Sequence, residues 1–153
     1  MKPVKPSRWL QVARRASEFR MLIDSESLAG AARQSDAADQ ALSHSRRLHD
    51  EAERSWRDRL ASGQFHAPDD AQFRRYHTAV QQIQARQAEA AEDARRVLAD
   101  AQASLRRTMA EKNALQEAIE RAGERHALAQ AQAVQREADD VWTIANPGVG
   151  SAT

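Results

Sequence analysis

Apolar residues recur at steps of three and four along two long stretches of this chain, and one break separates them. The first stretch opens with Trp9, Val12, Ala16, Phe19 and Ile23 on one helical face. It thins between Glu26 and Ala41, where Ala, Ser, Asp and Gln dominate, and strengthens again at Leu42, Ser45, Leu48, Ala52, Trp56 and Leu60. The second stretch reads Phe73, Tyr76, Val80, Ile83, Gln87, Ala90, Ala94 and Val97. Such spacing is that of a heptad seam between paired helices. Val97, Ala101 and Leu105 then give two consecutive steps of four, a stutter that locally unwinds a supercoil. The seam resumes through Thr108, Lys112, Leu115, Ile119, Ala122, His126 and Ala129.

The punctuation fixes the elements. Residues 1–7 are a lead-in with Pro3 and Pro6, and Ser7 is a suitable cap for a first long helix over 8–61. Gly30 is its one interior glycine and weakens or bends it without ending it. Residues 62–70 form a hairpin loop: Gly63 suits a helix C-terminus, and Pro68 with Asp69 and Asp70 suits the start of the next helix. A second long helix is expected over 71–145, and Asn146, Pro147 and Gly148 open a flexible tail over 146–153. The expected fold is all-α, an antiparallel two-helix coiled-coil hairpin. The second helix is the longer, so its residues from His126 onward are expected to project past the start of the first.

Composition agrees with helices and argues against a thick core. Ala, Glu, Lys, Leu and Arg supply 76 of the 153 residues, the mark of a coiled coil or long helix. Thirty-two residues are alanine and only seven are aromatic, enough to zip a seam but not to fill a globular interior. The formal charge of +1 gives no global bias toward nucleic acid, and no nucleic-acid partner is expected. Cysteine is absent, which excludes disulfides. No apolar run approaches membrane-spanning length, and no secretory signal is expected because Arg14 and Arg15 interrupt the N-terminal apolar region.

No catalytic constellation is present, so an enzyme is not expected, nor a cofactor or metal. There is no phosphate-cradling glycine loop, and His44 and His49 are five apart, off the spacing that puts two ligands on one helical face. Two segments stand out instead. Arg8–Ile23 combines Trp9, Val12, Phe19 and Ile23 with Arg8, Arg14, Arg15 and Arg20. It reads as seam plus solvated face, as a protein-binding surface, or as a basic amphipathic helix for a membrane surface. Trp56, Phe65, Phe73 and Tyr76 gather around the apex, either as a small core pinning the turn or as anchors for a partner.

The whole chain resembles the FliJ/YscO family, the central stalk proteins of flagellar and virulence type III secretion systems. The resemblance rests on length, the two-helix hairpin, and a first helix opening with apolar and Arg residues. It rests also on the Ala/Gln/Arg/Glu-rich second helix and on the ending Gln135-Arg136-Glu137-Ala138-Asp139-Asp140. It implies a non-enzymatic stalk that couples a hexameric secretion ATPase to a membrane export gate, at the cytoplasmic side of the inner membrane. Export chaperones are partners of some members. On this chain the ATPase-binding end would hold Arg8, Trp9, Val12, Arg14, Arg15, Phe19, Ile23 and Arg136. The gate-facing or partner-binding end would hold Trp56, Phe65, Phe73 and Tyr76. The alternative is a structural or scaffolding coiled-coil adaptor, in one version associated with a membrane surface.

Overall fold

The computed structural model describes residues 8–64 and 66–148. It is an all-α hairpin of two long helices packed against each other, with no strand among the described residues. Helix α1 spans Arg8–Ala61 and α2 spans Ala67–Ala145. Packing divides the chain into two units. One is Leu22–Arg106; the other comprises the described residues of Met1–Met21 and Arg107–Thr153.

The turn shows why the helices stop and start where they do. Gly63 adopts φ 71°, the left-handed conformation that an L side chain resists. The Ser62 amide still donates to the Asp58 carbonyl and the Gly63 amide to that of Leu60, closing the last turn of α1. The His66 carbonyl accepts from the amides of Asp69 and Asp70, so α2 is already helical at Ala67 rather than at residue 71. Pro68 causes no loss there, because a first-turn amide has no intrahelical partner to give up. Asp69 and Asp70 place negative charge on the helix's positive end.

In the unit Leu22–Arg106 the helices meet through small groups. Ala31, Ser35, Leu42, Ser45 and Ala91 are buried, and Ala91 is only 1% exposed. No large side chain is fully buried among the described residues. The stretch that reads as thin in sequence, Glu26–Ala41, therefore contributes two of the most buried residues, Ala31 and Ser35. Small side chains bring helix axes close, and interaxial distance follows the side chains at the contact. Gly30 neither ends α1 nor meets a neighbour; a Cβ built on it finds nothing within 4 Å.

The inner face of α2 differs from the expected one by a single residue. Phe73, Val80, Gln87 and Ala94 are at least half-buried as expected, but Tyr76, Ile83, Ala90 and Val97 are exposed. Their successors His77, Gln84, Ala91 and Leu98 take the inner places. Ala94, Leu98, Ala101 and Leu105 now step four, three and four, so the expected stutter is absent. One residue turns a helix by about 100°, which separates a buried stripe from an exposed one. Polar contacts accompany this rotation: Gln84 Nε2 donates to the Ser45 carbonyl of α1 at 3.3 Å, and Arg95 pairs with Asp39 at 2.6 Å.

The other unit repeats the theme. Ser17 and Thr108 are buried, with Leu10, Ala13, Lys112, Leu115, Ile119, Ala122 and His126 half-buried around them. Ala129, expected on the seam, is exposed. Arg20 reaches across to Glu111 at 3.0 Å. Counted antiparallel from that pair, Arg8 stands level with about Gly123, and every residue from Ala127 to Gly148 is exposed.

Two paired substitutions test this register. Leu98→Asp should lower stability by about 1–2 kcal/mol, since a charge would enter a half-buried apolar site, while Val97→Asp should change it by less than about 0.5 kcal/mol. Thermal melting of the two variants checks this; the reverse order would restore the stutter. Gly63→Ala should cost about 1 kcal/mol because of its φ, whereas Gly30→Ala should gain up to about 1 kcal/mol, both read by chemical denaturation.

Candidate protein-docking surfaces

The first surface lies on the N-terminal turns of α1. Trp9, Val12 and Phe19 are 65%, 60% and 66% exposed, with Ala16 exposed between them. Their steps of three and four make a complete heptad stripe, yet it is not the seam. Leu10, Ala13 and Ser17 face α2 instead. The helices meet here through groups as small as Ala13 and Ser17, and turning an indole and a phenyl ring inward would force them apart. This helix therefore carries two apolar stripes, a small-residue one against α2 and a large-residue one facing water.

Charge rims that second stripe. Arg8, Arg14, Arg15 and Arg20 are exposed; Arg14 sits 3.5 Å from Glu18 and Arg20 pairs with Glu111. Exposed pairs of this kind are worth about 0–1 kcal/mol and hold little of the fold together. In the same unit, the far end of α2 exposes Leu128, Val134, Val141, Trp142 and Ile144. Arg136 is exposed on that segment, among Glu137, Asp139 and Asp140. Trp142 and its apolar neighbours were not singled out in the sequence, because the segment around them is mostly Ala, Gln and acids. Ile23, the last of the N-terminal apolar residues, belongs to the other unit, where it and Leu22 are also exposed.

The second surface surrounds the turn, within Leu22–Arg106. Trp56 stacks on Phe73 with ring centroids 4.5 Å apart and planes 8° from parallel. Both are half-buried, so they pin the two helices together rather than stand free as anchors. Tyr76 is exposed, and Phe65 lies outside the described residues. A shallow cavity lined by Ala52, Trp56, Arg59, Asp69, Phe73 and Tyr76 opens on Tyr76's side of the stack.

This unit has unlike flanks. Along one flank of the α2 seam run Tyr76, Ile83, Ala90 and Val97, each seven residues from the next and each exposed. The opposite flank carries Arg74, Gln81 and Arg95, two of them tied to acids at Asp70 and Asp39. An apolar flank beside an apolar seam widens the face a helix offers, as in bundles of more than two helices.

Among the described residues, no helix is long and apolar enough to cross a membrane. No protein-family model, curated protein or solved structure matches this chain.

If the large-residue stripe is a docking face, it adds nothing to the fold of the free chain. Trp9→Ser with Phe19→Ser should leave helix content unchanged and shift unfolding by less than about 0.5 kcal/mol per site, since Ser, Trp and Phe have similar helix propensities. Leu10→Ser, on the inward face, should destabilise by more. Urea unfolding followed by circular dichroism separates the two.

Proposed function

We propose that this chain is a non-enzymatic stalk or coupling protein that links a hexameric secretion ATPase to a membrane export gate. It works at the cytoplasmic side of the inner membrane, within a type III secretion apparatus. The observation that carries the reading is the second apolar stripe: Trp9, Val12 and Phe19 face water on a helix whose seam is already complete without them. Contiguous exposed apolar groups rimmed by charge mark a surface meant for a partner. The small groups Ala13 and Ser17 on the inward face support the same reading, because they complete the contact between the helices while leaving the large side chains for contacts outside.

The arginines give the partner's character. Residues 1–33 hold seven Lys or Arg against three Asp or Glu, so the N-terminal part of the chain is basic while the whole is nearly neutral. Arg8, Arg14, Arg15 and Phe19 would meet the wall of the ATPase pore, with Arg136 on the adjoining end of α2. Attraction of this kind speeds encounter and permits movement between contacts, whereas a tight apolar lock would arrest a turning ring. Tyr76, with Phe65, would serve the export gate from a turn held by the Trp56–Phe73 stack, and export chaperones are further partners of the same class. The alternative reading, a scaffolding adaptor at a membrane surface, draws on the same stripe.

Arg14→Glu together with Arg15→Glu should weaken ATPase binding at least tenfold and abolish stimulation of its turnover, with helix content unchanged. Binding of the unmodified chain should also weaken from low to physiological salt. Normal stimulation by the double variant would remove this end as the docking site. Binding to anionic vesicles with no response to the ATPase would replace the stalk reading with the membrane-surface one.

A further inference from the structure

We propose that the hairpin carries a transition-metal site, of the kind zinc fills, built from His49, Asp50 and Glu53 of α1 and His77 of α2. His49, Asp50 and Glu53 each offer a donor atom within 4.8 Å of the others. His49 and Glu53 are four residues apart and share one helical face. His77 comes from the facing helix, its ring centroid 4.9 Å from that of His49 and tilted by 53°; it stands beside the three-residue donor group, and its ring must turn to bring a nitrogen to the same point. Glu53 and His77 line the same cavity, between the Trp56–Phe73 stack and the Asp70–Arg74 pair.

A second observation points to a ligand rather than to chance proximity. The His49 side chain is only 16% exposed, and its Nε2 is buried without a hydrogen-bond partner. A buried imidazole nitrogen left unpaired costs free energy that a metal bond would offset. Beside Gln84 and Gln87, these two half-buried histidines are the polar side chains of the seam near the turn, and a bound ion would join them across it.

The donor set selects the ion. Two imidazole nitrogens and two carboxylate oxygens suit zinc or a neighbouring divalent transition metal in four-coordination, not a soft monovalent ion and not a six-oxygen cation. Tetrahedral donors lie about 3.3 Å apart at zinc bond lengths. Asp50 is exposed and Glu53 half-buried, so both carboxylates have room to close that gap. Glu53 would exchange its 3.5 Å pairing with Arg57 for the ion, and Asp50 its 3.6 Å approach to His49 Nδ1. The neighbouring Trp56–Phe73 stack would exclude water from one side and strengthen the bonds. Bound metal would tie α1 to α2 one heptad from that stack.

The test uses the untagged, metal-stripped full chain, titrated with zinc chloride by calorimetry and with cobalt(II) by visible absorption. Expected are one ion per chain, a raised melting temperature, and the ligand-field bands of four-coordinate cobalt. His49→Ala, His77→Ala and Glu53→Gln should each weaken binding at least tenfold, while His44→Ala and His66→Ala should leave it unchanged. Absent binding, or binding untouched by His77→Ala and Glu53→Gln, overturns the site. Glu53→Gln disturbs no seam contact, so its result stands even where a histidine variant loses helix.

Discussion

The structure depends on how closely two helices can approach when the side chains between them are small. Ala31, Ser35, Ser45 and Ala91 in one unit, and Ser17 and Thr108 in the other, are the most enclosed groups beside Leu42. Each buries little apolar area, so the stabilisation per layer is low and has to be summed over many layers. The return is a short interaxial distance, which brings side-chain and backbone groups of opposite helices into hydrogen-bonding range. The Gln84 bond to the Ser45 carbonyl needs that closeness. It also favours one rotation of each helix, because the groups that meet at the closest points are small.

That constraint sends the large apolar residues elsewhere. Where the seam is tight, Trp9, Phe19, Ile83 and Val97 are turned out. Only near the turn do aromatic rings enter, as the Trp56–Phe73 stack, with His49 and His77 beside it. Each unit thus encloses small and polar groups most tightly and leaves an apolar stripe outside, a partial inversion of the usual arrangement for a solvated helix pair. Such an inversion is unfavourable for a chain alone in water. It is sensible for one that meets a partner along those stripes.

The sequence made the helices, the turn and the antiparallel fold legible, because proline and glycine occur only at ends and breaks apart from Gly30 and Gly123. The rotation was legible in part: Leu42, Ser45, Ala52 and Trp56 of α1 and Ala101 to His126 of α2 face inward as expected, but the first turns of α1 and the Tyr76–Val97 stretch of α2 do not. Choosing the larger apolar residue selects Tyr76 and Ile83 over His77 and Gln84, and Trp9 and Val12 over Leu10 and Ala13; Val97 in place of Leu98 then follows only from carrying that register onward. Hydrophobicity alone ranks those choices correctly for a wide core and wrongly for a narrow one, where volume decides. The stutter followed from the same error, since starting from Val97 instead of Leu98 forces an extra step of four. The His49–His77 pair was hidden for a related reason. The two residues are 28 apart in sequence, and only the true register brings them together.

The one-residue difference has a functional side. With Val97 inward, Tyr76, Ile83 and Val97 would be taken into the seam, and His77, Gln84, Ala91 and Leu98 would form the flank in their place. With Leu98 inward, the flank of Tyr76, Ile83, Ala90 and Val97 stays apolar while the opposite flank keeps Arg74 and Arg95 in ion pairs. A partner helix approaching this unit therefore meets two unlike sides. On the charged side it must displace exposed ion pairs for little gain. On the apolar side it buries a heptad-spaced stripe next to an existing seam, with Leu48 of α1 also exposed. Small residues in the seam thus do more than hold the helices close: by favouring one helix rotation, they decide which side of the hairpin is sticky.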